Sequence, residues 1–506
     1  MDSRKSRNDR LHALVNEAAW NGRSLAQAVN TVGREAGLRL GYSRSSAGQW
    51  LAGMVPRRPV PHVVAEALSR RLNRPVLPGQ AGFGGYAAEE CGDPLDRLVA
   101  LAGASDPARL ATSPYRVYRL PALPADTPLP ADTPLPADAP LQTAPAHAAP
   151  AHMDPAHVAP VHVAPARVPG PVAGPVRVGP EDVASAEAML RLFTEAGETG
   201  GAGHVRGGLG RYLADTVVPA LRAAPPEIHA ELLATAARLA HLCGVLCYHD
   251  ELHGFAQRYC LVALRLAARP AESGLRARVL STMSAQAVWL GHHAHALALS
   301  HAAVAAAGDL PPRELAPLSG QRAVAHAAAG DAAAALADMA AAHDHLARAG
   351  DARPALAATL ACQRGLTLAL LGDTPKAIAQ LEISVRHRPA RERHARAVTL
   401  SRIAGLQLRM GHCLEAAATW HRFLDDYPAV NSGRARAALA DLQARLRPYQ
   451  GIPAVRAVLA RASSLRQRLP QPAPRPRAPY RHPSGRTAPV REPVRTAAPA
   501  GRAGPR

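Results

Sequence analysis

Paired apolar stretches separated by a short turn recur through the second half of the chain. Glycines mark four of the turns, at spacings of 39, 42 and 39 residues, and they are Gly291, Gly330, Gly372 and Gly411. A His249-Asp250 pair stands 42 residues before the first of them. A hairpin of two helices cannot bury its apolar face alone, so repeated hairpins stack into a solenoid. The pattern therefore predicts an all-α chain dominated by an array of paired helices.

The copy around Gly372 has the spacing of the tetratricopeptide pattern, with small residues where paired helices touch. Its signature positions are Ala361, Arg364, Gly365, Leu368, Gly372, Ala377, Leu381, Ser384 and Pro389. The next copy carries Ala404, Gly411, Ala416, Trp420, Phe423 and Pro428 at matching offsets. Because the standard repeat has about 34 residues, the array is tetratricopeptide-like (TPR-like). Such arrays bind peptides, helices or other subunits, and exposure of Trp420 decides whether it can line such a groove.

Composition shifts divide the chain into six segments. We predict a helix-turn-helix-like four-helix domain over 9–78, a connector over 79–120, a disordered Pro/Ala/His-rich linker over 121–180, the TPR-like array over 181–449, a terminal helix over 450–469 and a disordered Arg/Pro-rich tail over 470–506. The linker assignment rests on the clustering of the 47 prolines, which favours extended, solvated chain. Residues 201–207 are glycine-rich, and we expect a flexible bend there.

Positive charge is concentrated at both ends of a chain whose formal net charge is +20. Residues 1–78 hold 13 Lys or Arg against five Asp or Glu, and residues 470–506 hold eight Arg against one Glu. Both ends are therefore suited to contact with an anionic polymer. The six cysteines form no Cys-x-x-Cys pair, which favours a reduced compartment. We expect a cytoplasmic protein, nucleoid-associated when bound to DNA, with no membrane association.

The N-terminal segment carries the pattern of a DNA-binding helix-turn-helix. Residues 24–30 (SLAQAVN), 43–53 (SRSSAGQWLAG) and 59–72 resemble the helix-turn-helix of repressor-type proteins. In that family the helix that opens with Arg44, Ser45 and Ser46 and carries Gln49 would enter the major groove. Arg can bind guanine and Gln can bind adenine. Arg39, Arg57 and Arg58 are the expected contacts to backbone phosphate.

The chain as a whole resembles actinomycete, streptomycete-type regulators that join such a domain to a C-terminal TPR-like array. The likeness rests on residues 43–74, with Trp50 and the 68–72 segment LSRRL, and on residues 239–266, with the 253–259 segment HGFAQRY. That group includes negative regulators of differentiation and antibiotic production. The resemblance implies transcriptional regulation, with DNA bound by the N-terminal domain and a protein, peptide or small ligand bound by the repeats. Recognition helices of this kind often act in pairs, so a homodimer is also expected.

The residues admit three other interpretations, namely a zinc site, an enzyme and an interaction scaffold. A zinc site could draw on two i,i+4 pairs, Cys243/Cys247 and His249/His253, together with His241. Cysteines in an apolar helix are more often core residues, so we expect no metal and no cofactor. No nucleophile-elbow, Walker or His-Glu-x-x-His motif occurs, so we expect no enzyme. The alternative to a regulator is a TPR-like interaction scaffold with no direct DNA binding.

Overall fold

The computed structural model describes residues 7–84 except 73, residues 93–119 except 106 and 111, and residues 178–350 and 354–468. Every regular element within these ranges is a helix, which confirms the all-α prediction. The linker predicted for 121–180 lies outside the described residues up to residue 177. The tail predicted for 470–506 lies outside them entirely.

Four helices at the N-terminus enclose a small core of their own. They are α1 (Asp9–Glu17), α2 (Gly22–Glu35), α3 (Arg44–Leu51) and α4 (Val60–Leu72). Apolar residues at helical spacing point inward, and Leu11, Leu25 and Leu68 are completely buried. Asn8 caps α1 by accepting from the Leu11 N–H at 3.1 Å, and its Nδ2 donates to the Ala81 carbonyl at 3.0 Å. The segment after α4 is thereby held against the start of α1.

The segment that follows is short and helical, and it leads from the first domain to the array. It contains α5 (Pro94–Ala104), α6 (Pro107–Leu110) and a 3-10 turn, Pro114–Arg116. Leu98 and Leu101 of α5 belong to the core of the array. Residues 113–119, which we name the strap, contribute Val117 to the core of the N-terminal domain. Tyr115 of the strap packs against the core of the array, so the strap contacts both cores.

The array begins with three helices, continues as five hairpins and ends with one further pair. The first three are α7 (Pro180–Gly200), α8 (Ala202–Tyr212) and α9 (Val218–Ala223). The hairpins are α10 (Pro226–His249) with α11 (His253–Leu266), α12 (Ser273–Trp289) with α13 (His293–Ala307), α14 (Pro312–Ala329) with α15 (Ala332–Arg348), α16 (Pro354–Leu370) with α17 (Thr374–His387), and α18 (Arg393–Arg409) with α19 (Cys413–Asp426). The final pair is α20 (Gly433–Leu446) and α21 (Pro453–Arg468).

The turn glycines lie where the repeat pattern placed them. Each has a positive φ, between 79° and 90°, and they are Gly291, Gly330, Gly372 and Gly411. A positive φ strains the backbone of residues that have a Cβ but not that of glycine, which is why the turns share this residue. In the first hairpin the same place is taken by Glu251, with a φ of 58°. The regular spacing of these glycines in the sequence therefore reflects a turn conformation that recurs from hairpin to hairpin.

Small residues let the two helices of a hairpin approach closely. A Cβ on Gly365 would lie 2.7 Å from Leu381 Cγ, and one on Gly244 would lie 2.7 Å from Cys260 Sγ. Trp420 is 1% exposed and packs edge-on against Phe423, with ring centroids 5.2 Å apart. Trp420 is therefore a core residue of α19 and does not line a groove.

The prediction of a flexible bend over residues 201–207 is too broad, because α8 begins at Ala202 and includes the later glycines. The break is confined to Gly201, with a φ of 80°. Its neighbour Gly200 accepts from the Asn431 N–H at 2.9 Å, and the Gly203 N–H donates to the Asn431 carbonyl at 2.8 Å. A distant part of the chain thus satisfies backbone groups that the break leaves open.

The array curls until its last helices meet its first hairpin. The Asp250 carboxylate accepts from the Gly433 N–H at 2.8 Å and from Arg436 Nη2 at 2.9 Å. Arg391 and Glu198 form a further pair at 3.4 Å between the beginning and the end of the array. These contacts bring residues of α20 against the first hairpin.

The helix α10 is the one described helix that is long and apolar enough to cross a membrane. Of its most apolar window, 56% is buried inside the protein, where α10 packs against α7, α8 and α11. This burial is that of a core helix.

Candidate nucleic-acid interface

One face of α3 is open to solvent along its whole length. Arg44, Ser45, Gly48, Gln49 and the following Ala52 are all exposed, and their spacing places them on one side of a helix. The opposite side is buried through Ala47 and Trp50, which are 0% and 2% exposed. A Cβ on Gly48 would meet no atom within 4 Å. The glycine leaves the middle of this face flat.

Contacts from α2 fix the position and direction of α3. The Asn30 side chain binds the backbone of Tyr42 twice at 2.9 Å, accepting from its N–H and donating to its carbonyl. The Tyr42 ring meets Trp50 edge-on at 4.9 Å. Ser43 begins α3 as its N-cap, and its N–H donates to Ser46 Oγ at 3.3 Å. The position of α3 is therefore fixed both by the residues that precede it and by the packing of its buried face.

The α2–α3 connection occupies residues 36–43, because α2 extends to Glu35. A Cβ on Gly33 would lie 2.3 Å from Leu40 Cδ1, so glycine is needed for the connection to pack against α2. The beginnings of α2 and α3 are also adjacent, since a Cβ on Gly22 would lie 3.5 Å from the Arg44 carbonyl oxygen. This arrangement presents the starts of two helices on one side of the domain.

The charge of the domain favours an anion at this side. No acidic residue occurs between Glu35 and Glu66, a stretch that contains α3. Elsewhere the carboxylates are paired: Glu17 with Arg74 at 2.7 Å, and both Glu35 and Glu66 with Arg70 at 2.7 Å. The exposed arginines near α3 are consequently not balanced by acids of their own segment.

The residues predicted as DNA contacts fall into three groups. Arg44, Ser45 and Gln49 share the open face of α3, whereas Ser46 is half-buried and its Oγ accepts from the N-cap. Arg57 and Arg58 are exposed after the end of α3, and Arg39 is exposed in the α2–α3 connection. Gly48 and Ala52 were not predicted, although their positions four and eight residues after Arg44 place them on its face.

The strap grips the connection that leads into α3. Arg116 is 3% exposed, and its guanidinium donates to the carbonyl oxygens of Ala36 at 2.9 Å, Gly37 at 3.1 Å and Leu110 at 3.3 Å. Three backbone carbonyl oxygens thus accept from this buried cation. The backbone at the start of the α2–α3 connection is thereby tied to the strap.

The strap in turn lies on α11, where the HGFAQRY segment forms its docking site. Gln257 Oε1 accepts from the Arg119 N–H at 2.8 Å, and Gln257 Nε2 donates to the Arg119 carbonyl. Arg258 Nη1 donates to the carbonyls of Val117 at 2.8 Å and Tyr115 at 3.2 Å. Gln257 and Arg258 therefore hold the strap on α11, a role that the HGFAQRY segment alone did not indicate.

The contact between α4 and the array contains buried polar groups. Arg119 Nη2 lies 2.7 Å from His62 Nδ1, and Tyr118 stacks on His292 with ring centroids 5.4 Å apart. Burial, reinforced by nearby arginines, lowers the pKa of His62 and of His292 to about 3. Both imidazoles are therefore neutral at pH 7.

The two cysteines considered for zinc, Cys243 and Cys247, are core residues, and so is Cys260. Cys243, Cys247 and Cys260 are at most 2% exposed, and burial raises the pKa of Cys247 and of Cys260 to about 12. In these apolar surroundings the thiols are protonated and pack as small core side chains. Within the described residues, no three His, Cys, Asp or Glu side chains converge in a way that could hold a metal ion.

Comparison with models of known protein families matches the first domain. Residues 11–84 match the family model described as the SP15 N-terminal domain. This range contains α2, α3 and α4 and reaches the end of the first described segment. Neither a curated protein nor a solved structure matches the chain.

Proposed function

We propose that this protein is a DNA-binding transcriptional regulator in which the open face of α3 contacts the major groove. The supporting observation is that face itself, an acid-free helix side that offers Arg44, Ser45 and Gln49 around the flat surface of Gly48. Arg and Gln are the side chains that discriminate guanine and adenine. Arg39, Arg57 and Arg58 supply the phosphate contacts that set the register.

The array acts as the sensing or assembly half of the regulator. Its first hairpin is joined to the DNA-binding domain through the strap, because α11 holds residues 115–119 and Arg116 holds Ala36 and Gly37. A ligand or partner that binds the array with different affinity in two arrangements of this contact shifts the occupancy of DNA. The partners proposed for the array are a protein or peptide, a small ligand and a second copy of the chain.

The proposal is tested by titrating the full chain against pooled genomic fragments over a salt series. Arg44→Ala and Gln49→Ala each remove one base contact, worth about 1–3 kcal/mol of discrimination. Arg211→Ala is the matched control, because Arg211 is exposed on α8 and carries the same charge. A chain that ends at Leu469 removes the Arg-rich segment, which can bind DNA without sequence preference.

Sequence-selective binding that both α3 variants weaken and the control keeps supports the regulator. Equal binding of all fragments, or selection that survives both α3 variants, contradicts it. Absence of DNA binding at low salt favours the alternative, an interaction scaffold whose N-terminal domain contacts another protein.

A further inference from the structure

Four alternating side chains form a ladder of rings and cations inside the curl of the array. The Arg434 Cζ lies 3.6 Å from the Tyr248 ring centroid and 4.7 Å from the Trp289 ring centroid. The Arg402 Cζ lies 6.0 Å from the same Trp289 ring. The rings come from α10 and α12, while the cations come from α18 and α20. The ladder therefore exists only because the array closes on itself.

Arg434 is buried without a hydrogen-bonding partner for two of its nitrogens. It is 7% exposed, and its Nε and Nη2 atoms are enclosed and unpaired. These two N–H groups are parallel and form the edge of the guanidinium that matches a carboxylate or phosphate bidentately. An unpaired buried donor is costly, more so when it is charged. The arrangement therefore lacks an acceptor that this edge can hold.

The same edge holds a carboxylate elsewhere in this array. Arg322 donates from Nε and Nη2 to Asp338 at 2.9 and 2.5 Å, and Arg396 donates in the same way to Asp426 at 2.7 and 2.5 Å. Among the residues that the structure describes, no carboxylate fills this role for Arg434. Asp250, across the closure, is taken by Gly433, by Arg436 and by Arg206, whose Nε lies 3.5 Å away.

The surroundings of Arg434 are suited to an anion that carries a flat apolar group. Trp289 is 45% exposed, so one part of its ring is open to a ligand. His394 is 4% exposed, with Nε2 unpaired, and its ring lies 4.3 Å from that of His249. Burial, with the charge of Arg434 acting in the same direction, lowers the pKa of His394 to about 4, so it is neutral at pH 7. A neutral imidazole can donate to or accept from a ligand.

We propose that Arg434, with Trp289 and His394, forms a binding site for a small aromatic carboxylate or phosphate. The anionic group is held by the Nε and Nη2 edge of Arg434, and the ring of the ligand stacks on Trp289. A guanidinium this deeply buried cannot reach the phosphates of a duplex, so the ligand is a small molecule. The site goes beyond DNA binding and does not depend on it.

The test measures thermal unfolding and tryptophan fluorescence of the full chain, without DNA, as benzoate or phenyl phosphate is added. Acetate provides the anion without the ring, and benzyl alcohol provides the ring without the anion. We expect benzoate, phenyl phosphate or both to raise the melting temperature and change the fluorescence. Which of the two binds more tightly distinguishes a carboxylate ligand from a phosphate ligand.

Two substitutions separate this site from general anion binding. Arg434→Met removes the charge and keeps the stem, and Arg434→Lys keeps the charge and removes the parallel N–H pair. Both are expected to weaken binding about tenfold or more, a loss of about 1.4 kcal/mol. Arg409→Met is the control, because Arg409 is exposed at the end of α18. Trp289→Leu should abolish the fluorescence change.

The site also predicts how Arg434→Met behaves without a ligand. Removing an unpaired buried charge should leave the melting temperature unchanged or raise it. Binding that both Arg434 variants retain at wild-type affinity overturns the proposal. So does the absence of any response of the wild-type chain to both aromatic anions, in which case a buried water satisfies Arg434.

Discussion

Gly254 lies directly against the backbone of Arg116. A Cβ on Gly254 would stand 2.3 Å from the Arg116 carbonyl carbon, a distance that the strap could relieve only by moving. This contact joins the first residues of α11 to the segment that holds the α2–α3 connection. A single methyl group at this position therefore tests how the array and the N-terminal domain are attached.

Gly254→Ala is expected to displace the strap and destabilise the protein by about 1–3 kcal/mol, the usual cost of overpacking. Differential scanning calorimetry and limited proteolysis around residues 113–119 measure the effect. Gly207→Ala is the control, because a Cβ on Gly207 in α8 would meet no atom within 4 Å. Equal stability of the two variants would show that the strap does not depend on this contact.

Arg116→Met is expected to loosen the α2–α3 connection, because the Ala36 and Gly37 carbonyls lose their buried donor. Loss of hydrogen bonds to a charged group costs roughly 1.5–3 kcal/mol each. Hydrogen exchange should accelerate in residues 36–43, and DNA affinity should fall although Arg116 is itself buried. Arg109→Met, a change at an exposed arginine of α6, should alter neither. Unchanged exchange in Arg116→Met would remove the coupling role of the strap.

Substitutions at Gly48 separate the stability of α3 from its function. Gly48→Ala should stabilise the helix by about 1 kcal/mol, since alanine is the better helix former and its Cβ meets open space. Gly48→Asp places a negative charge on the proposed DNA face and should weaken DNA binding about tenfold or more, with the fold retained. Circular dichroism and DNA titration distinguish the two effects. Gly207→Asp controls for the added charge, and unaltered affinity in a folded Gly48→Asp protein would mean that this face does not meet DNA.

Stability should fall as the pH is lowered through about 6.5, the ordinary pKa of histidine. His62 and His292 have pKa values of about 3 in the folded protein, so the unfolded chain binds their protons first. Each of these two histidines then lowers the free energy of unfolding by up to about 1.4 kcal/mol for every pH unit below 6.5. Glu35 acts in the opposite sense, because burial raises its pKa despite Arg70.

Thermal unfolding between pH 7.5 and 5 measures this dependence. His292→Phe keeps a ring against Tyr118 but cannot be protonated, so its melting temperature should depend less steeply on pH. His12→Phe makes the same substitution at a half-buried histidine of α1 and is the matched control. A melting temperature of the wild-type protein that is independent of pH in this range would contradict the expectation.

The sequence by itself determined the local structure of this protein. A turn that needs a positive φ selects glycine wherever it recurs, so Gly291, Gly330, Gly372 and Gly411 predicted the hairpins from their spacing alone. The start of α3 at Arg44 was equally predictable, because capping and helical periodicity involve residues only a few positions apart. The prediction of DNA contacts came from the same local pattern.

The tertiary structure alone decided which residues join the parts. Arg116 binds Ala36 from 80 residues away, and Arg436 reaches Asp250 across 186 residues. Such pairs depend on how far the array curls and where the strap lies, and no local propensity encodes either. For the same reason the sequence indicated Trp420 as a groove candidate, whereas the fold buries it and exposes Trp289 beside Arg434. Periodicity specifies a helix and its turn, but the sum of many small packing offsets along the array determines which distant side chains meet.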